Sequence, residues 1–259
     1  MQDSLTRLGL RSCIQDKPGT GRASFLFAGQ LDFHSVYPNY MQELAKRGEG
    51  PFLLVMEGAG AEMAYWLATR HTELGIRGLV LVDGYPSDYE FTAYAHFHNS
   101  SAAQLAAYRA GTTAQRQGLP AYARLLGDWR YDEYLYYYRV DKTWATQGAV
   151  MGPAFLRPSN AYAARNLSSS VALGGLVSAP TEADIRASVC GPQQLSETEC
   201  GRRVAENDYS IQARLQLLQS LGNASVSRAT YSGVSMEWFW LVDPDWTAAK
   251  ILEFVAQLG

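Results

Sequence analysis

The sequence predicts an α/β fold: a mostly parallel central sheet flanked by helices, with a helical insertion lying over one edge. Three observations carry this expectation. Residues 51–84 spell strand, tight turn, helix and strand in succession. Extended and helical patterns alternate through residue 86, which requires crossover connections and therefore parallel strands. From 87 to 166 no strand of comparable quality follows, so the sheet breaks off and resumes later.

Composition agrees with one large domain, because 259 residues that are 47% hydrophobic can bury a full core. A net charge of −3 supplies no electrostatic footprint for nucleic acid or an anionic membrane. No apolar run reaches the roughly 18 residues of a membrane span. The start, Met1-Gln2-Asp3-Ser4, does not read as a signal peptide, so a cytoplasmic location is expected. The three cysteines do not form a disulfide framework. Cys190 and Cys200 lie near enough in sequence to pair, but thiols in a leaderless chain are expected to stay reduced. The triplets beginning at Asn99, Asn166 and Asn223 fit the glycosylation pattern and read as chance matches.

In chain order, 5–10 reads as an edge strand and 16–21 as a turn built on Pro18, Gly19 and Gly21. Residues 24–28 form the first convincing strand, followed by a polar loop over 29–34. Tyr40 and Leu44 mark an amphipathic helix that ends near Gly48. The apolar run 52–56 has the continuity of a strand buried on both faces. Gly58-Ala59-Gly60 then reverses the chain, since glycine tolerates positive φ and close backbone approach. Met63, Trp66, Leu67 and His71 follow at helical spacing, and a second apolar run, 79–82, stops at Asp83.

Residues 87–166, rich in Ala, Tyr, Arg and Gln, show helical periodicity over 102–110 and 120–126 and an aromatic cluster over 131–138. They read as a lid. The predicted division is thus 1–86 and 171–259 for the two parts of the core, with 87–170 the lid. The sheet resumes at 171–177. Residues 180–208 read as an irregular excursion, 211–221 as a helix, 225–231 as a last strand and 244–258 as a closing amphipathic helix.

Several local strings, in their order, resemble the type I thioesterase domains of fatty-acid and polyketide synthases, which are α/β-hydrolases. Glu49-Gly50-Pro51-Phe52 stands before the strand, Met56-Glu57-Gly58-Ala59-Gly60 at the position of the G-x-S-x-G nucleophile elbow, and Asp83-Gly84-Tyr85-Pro86 after the next strand. The resemblance extends over nearly the whole chain from Ser24, although only 49–86 is specific. It implies the α/β-hydrolase fold with a helical lid, acyl or polyketide thioesters as ligands, an acyl carrier protein as partner, and no cofactor or metal. The segment before the elbow is short for the family, so a central strand–helix pair is expected to be missing.

Two positions depart from the family pattern. An elbow holds its nucleophile at a strained apex, with the following backbone N–H in the oxyanion hole. Here the apex is Gly58, which has no side chain to acylate. The family histidine follows the last strand, where this chain has Ser235; its four histidines are His34, His71, His96 and His98. Of the three catalytic positions only Asp83 keeps its residue type.

Several of the remaining site residues carry two readings. Asp83 is either a solvated or capped strand-end acid or a residual functional carboxylate. Glu57 either faces the cleft, where two carboxylates can separate each other's pKa, or pairs with a lid arginine such as Arg109 or Arg139. Gln30 and His34 lie where the family builds its oxyanion hole, with the Ala59 amide beside them. His96 and His98 are surface lid residues or reach the cleft; a lone H-x-H is a weak metal signal. Ser235 has no nearby base and reads as a loop hydroxyl. Tyr85 flanks the acid. Trp238, with the tyrosines of 131–138, either packs the core or lines an aromatic tunnel.

Two function classes stand in front: an acyl-binding domain with non-hydrolytic or atypical chemistry, and an inactive acyl-binding or docking pseudoenzyme. A third reading takes Gly58-x-Gly60 and Asp83 as part of a dinucleotide fingerprint in an oxidoreductase. Against it, Met63 occupies the third glycine position.

Overall fold

A computed structural model describes residues 1–13, 33–58, 60–84, 167–221, 225–229 and 239–258. The chain divides into two compact units. One comprises Met1–Arg11, Tyr37–Tyr89 and Asn160–Gly259; the other comprises Ser12–Val36 and Glu90–Ser159. Nearly all described residues belong to the first. The expected strand at 24–28 and residues 87–166 of the expected lid, with their aromatic cluster, lie outside the described residues.

In order, the described elements are α1 (Gln2–Arg7), α2 (Phe33–Lys46), β1 (Phe52–Glu57), α3 (Gly60–Arg70), β2 (Ile76–Val82), β3 (Ala172–Ser178), α4 (Glu182–Ile185), α5 (Glu197–Ser220), β4 (Ser225–Ala229), α6 (Phe239–Val242) and α7 (Pro244–Ala256). The four strands form one sheet in the order β1-β2-β3-β4, every pair parallel. Parallel neighbours need crossovers, and α3 and α5 supply two of them.

Both faces of the sheet are covered, and β2 shows how. Leu79 and Leu81 point into a cluster with Ala61, Ala64, Tyr65 and Leu67 of α3 and with Leu215 and Leu218 of α5. Val80 and Val82 point the other way, to Leu5, Phe239, Ile251 and Phe254. A strand with two apolar faces needs no polar alternation, hence its unbroken run of aliphatic residues. β1 departs from the expectation of burial on both faces: 52–56 are only half-buried. Continuous burial belongs to 78–82 of β2, which is hydrogen-bonded to a strand on each side.

Two glycines set the spacing between sheet and helices. A Cβ at Gly175 would lie 2.3 Å from Leu218 Cδ1, and one at Gly174 would lie 2.9 Å from Phe254 Cδ2. Without side chains at these adjacent positions, α5 and α7 seat their large apolar residues directly on β3.

Three expectations are corrected. The segment 5–10 does not form an edge strand: α1 covers its first half, with Leu5 buried against the α6–α7 cluster and Arg7 paired with Asp245. A strand there would alternate its faces, whereas a helical turn delivers Leu5 and Ser4 to the same buried side.

Residues 180–208 are not irregular. Thr181 and Asp184 form a capping box at the start of α4: the Asp184 amide donates to Thr181 Oγ1 at 3.2 Å and the Thr181 amide to Asp184 Oδ2 at 2.8 Å. Ser196 and Glu199 repeat the device at the start of α5. A single π-helical turn, Arg186–Cys190, follows α4. The expected helix at 211–221 is the second half of the 24-residue α5. Both boxes carry the Ser/Thr-x-x-acid signature, which satisfies two backbone donors reciprocally.

Cys190 and Cys200 are joined in a disulfide, with Cα atoms 5.4 Å apart, and Cys13 is free and exposed. The two capped helices bring the thiols together beside Ile185 in a small apolar cluster. Such a bond belongs to the chemistry of oxidising compartments and stands against the reduced-thiol expectation.

The closing helix α7 is capped by Asp243, whose Oδ1 accepts the Trp246 amide at 2.9 Å, and opens with Pro244, which needs no donor there. Among the described residues no helix is long and apolar enough to cross a membrane.

Candidate site at the carboxyl edge of the sheet

Register places the carboxyl ends of three strands side by side. Glu57 is opposite Val82, and Val82 is opposite Leu176. In an open parallel α/β sheet this edge is where ligand chemistry gathers.

At the end of β1 the chain turns at Gly58 with φ +54°. The Gly58 amide donates to the Val82 carbonyl at 2.9 Å, and its own carbonyl accepts the Ala61 amide at 3.1 Å, starting α3. The apex is therefore pinned on both sides in a left-handed conformation that glycine adopts without a steric penalty. Neighbouring backbone is close: a Cβ at Gly84 would sit 2.8 Å from the Ala61 Cβ. A side chain at such an apex stands clear of the sheet, and position 58 supplies none.

Asp83 directly follows β2, also left-handed at φ +47°, and is fully buried. Its amide donates to the Leu176 carbonyl at 2.8 Å. Its Oδ1 accepts the Ser178 amide at 2.8 Å and lies 3.3 Å from Nη1 of Arg214, itself fully buried. One carboxylate thus ties the end of β2 to the end of β3 and to the middle of α5. The carboxylate is buried, not solvated, and caps the Ser178 amide.

Arg214 and Ser178 are site residues that the sequence reading did not single out. The signal was present in α5: Asn207, Ser210 and Arg214, spaced three and four apart, form a polar line on one helix face, and all three are buried. Asn207 Nδ2 donates to the Pro180 carbonyl at 3.2 Å, so this polar face also holds the segment leaving β3.

Glu57 is exposed at the end of β1. The proposed pair of carboxylates therefore occupies opposite environments, one in solvent and one buried beside a cation. His34 is the second residue of α2, so it does not belong to a polar loop as expected. Gln30, Ala59, Tyr85, His96, His98, Ser235 and Trp238 lie outside the described residues, as do Arg109 and Arg139. Among the described residues no three His, Cys, Asp or Glu side chains gather as metal ligands.

No family model matches the chain, and no curated protein sequence matches it. Solved structures do. A probable hydrolytic enzyme from Pseudomonas aeruginosa PAO1 superposes with a TM-score of 0.60 at 15% identity, over 97% of this chain and 78% of that one. MenH from S. aureus gives 0.59 at 13% identity, over 94% and 82%. NosK from Streptomyces actuosus gives 0.54 at 19% identity, over 99% and 89%. The fold is that of the α/β-hydrolases.

Within an α/β-hydrolase fold, a strand, a left-handed apex and a helix are the parts of a nucleophile elbow, and β1, Gly58 and α3 come in that order. The dinucleotide reading asks Asp83 to face a ribose hydroxyl. Its carboxylate is instead buried against Ser178 and Arg214.

Proposed function

We propose that this α/β-hydrolase-fold chain binds acyl or polyketide chains delivered as thioesters, from a carrier protein's prosthetic arm, without forming an acyl-enzyme at position 58. The observation that carries the reading is the apex itself: Gly58 has the left-handed backbone of an elbow and no oxygen to attack a carbonyl. The likeness of 49–86 to synthase thioesterases supports the ligand class, and Ser235 at the family's histidine position supports the loss of acyl transfer.

A second reading, a non-catalytic acyl-binding or docking module, is favoured by the burial of Asp83 beside Arg214. A carboxylate engaged by a guanidinium is a poor partner for orienting a histidine.

The test incubates the purified chain with acyl thioesters of graded length and with a serine-directed fluorophosphonate. Thermal stabilisation by acyl chains with no covalent label is the expected result. Stoichiometric labelling at one residue would revive nucleophilic hydrolysis, and slow thioester consumption without label would favour atypical catalysis over the docking module.

A further inference from the structure

We infer that Arg214 is the fixed partner of Asp83, so that the strand-end acid is a structural clamp at the carboxyl edge of the sheet and not a proton-relay acid. The inference deepens the reading above and rests on it only for the identity of the site.

Both side chains are fully buried and their charged atoms are 3.3 Å apart. Taking one partner away strands the other charge in a medium that solvates it poorly. The clamp has three arms. Asp83 Oδ1 receives the Ser178 amide, the Asp83 amide reaches the Leu176 carbonyl, and Arg214 brings α5 to the same point. Asn207 adds a fourth tie, from α5 to the Pro180 carbonyl.

The clamp also accounts for the backbone. Asp83 sits at φ +47°, a region that aspartate and asparagine tolerate better than other residues with side chains. Bonding of its carboxylate to the neighbouring strand offsets the cost of that conformation. In a working triad the same carboxylate must be available to an imidazole N–H. Here Arg214 lies 3.3 Å from Oδ1, the same oxygen that takes the Ser178 amide, and the chain has serine at the histidine position.

The experiment is a double-mutant cycle on the full chain: Asp83→Asn, Arg214→Gln and both together, with Arg214→Lys as the conservative variant. Asparagine keeps the left-handed backbone and an acceptor for the Ser178 amide, while an amide pair replaces the ion pair. Each neutralising single variant is expected to lower Tm by roughly 6–20 °C, and the double variant by no more than the worse single. Arg214→Lys is expected to retain at least half of what Arg214→Gln loses. Should a single variant fail to fold, recovery of soluble protein in the double variant reports the same coupling.

Losses that simply add would overturn the inference, as would Arg214→Lys behaving like Arg214→Gln. So would an Asp83→Asn chain with unchanged Tm that no longer consumes an acyl thioester the parent chain consumes. A parent chain indifferent to acyl thioesters would sink the proposed function but leave the thermal cycle, and hence the clamp, standing.

Discussion

The backbone amide of Gly58 donates to the carbonyl of Val82 at 2.9 Å, lacing the turn after β1 to the last residue of β2. Asp83 follows at once and takes the Ser178 amide on its carboxylate, so three strand ends are tied in a row. Both Gly58 and Asp83 leave their strands through positive φ. The edge of this sheet is shaped by backbone conformation as much as by side chains.

Gly58 tests that statement most directly. An alanine there would have to hold φ near +54°. Gly58→Ala is expected to cost about 1–2 kcal/mol, and Gly58→Val more, because β-branching crowds the left-handed region further. Urea unfolding reads this out; an unchanged midpoint would mean that the turn relaxes without resistance.

A contrasted pair of glycines separates packing from propensity. Gly175→Ala drives a methyl into the isobutyl head of Leu218, with three of its carbons at 2.3–3.0 Å, and is expected to destabilise by about 1–3 kcal/mol. Gly201, inside α5, is different: a methyl added there would meet nothing within 4 Å. Gly201→Ala is therefore expected to stabilise by about 0.5–1 kcal/mol. Opposite signs in denaturant midpoints are the predicted outcome.

The disulfide closes a short loop, the two cysteines being 10 positions apart. Loop-closure entropy for a ring of this size is worth roughly 2–3 kcal/mol, so the Cys190→Ser/Cys200→Ser variant should unfold earlier by about that amount. Alkylation of the unreduced, denatured chain should modify one thiol, Cys13, and after reduction all three. Three modified thiols without reductant would contradict the bond.

Acid sensitivity is expected at the start of α5. Hydrogen bonds from the Ser196 side chain and backbone hold the Glu199 carboxyl below its ordinary value of 4.5. A depressed folded-state pKa means that the contribution is full above the unfolded value and fades as pH falls through the folded one. Stability measured from pH 6 downward should therefore drop more steeply in the parent chain than in Glu199→Gln, which keeps the capping box without the titration. Equal slopes would exclude the contribution.

Much of the frame is legible in the sequence because it rests on local periodicity. The runs 52–56, 79–82 and 171–177 fall on β1, β2 and β3 within a residue or a few at each end, and the closing helix begins at Pro244 as expected. Where sequence and structure part, the causes are physical too. At 5–10 three leucines within six residues suggest a short strand, and burial of Leu5 against α6 and α7 goes with a helix instead. Across 180–208 prolines and cysteines suggest irregular chain, yet two Ser/Thr-x-x-acid boxes outweigh them and each starts a helix.

By itself, then, the chain's order of residues determined that strands would be parallel, that position 58 would be a turn with no side chain, and that an acid would end the following strand. These depend on neighbours a few positions apart. Only tertiary structure decided what that acid does. Ser178 is 95 positions from Asp83 and Arg214 farther still, and they meet because Gly175 lets Leu218 seat α5 against β3. Charge burial is a property of that packing, and no window of sequence contains it.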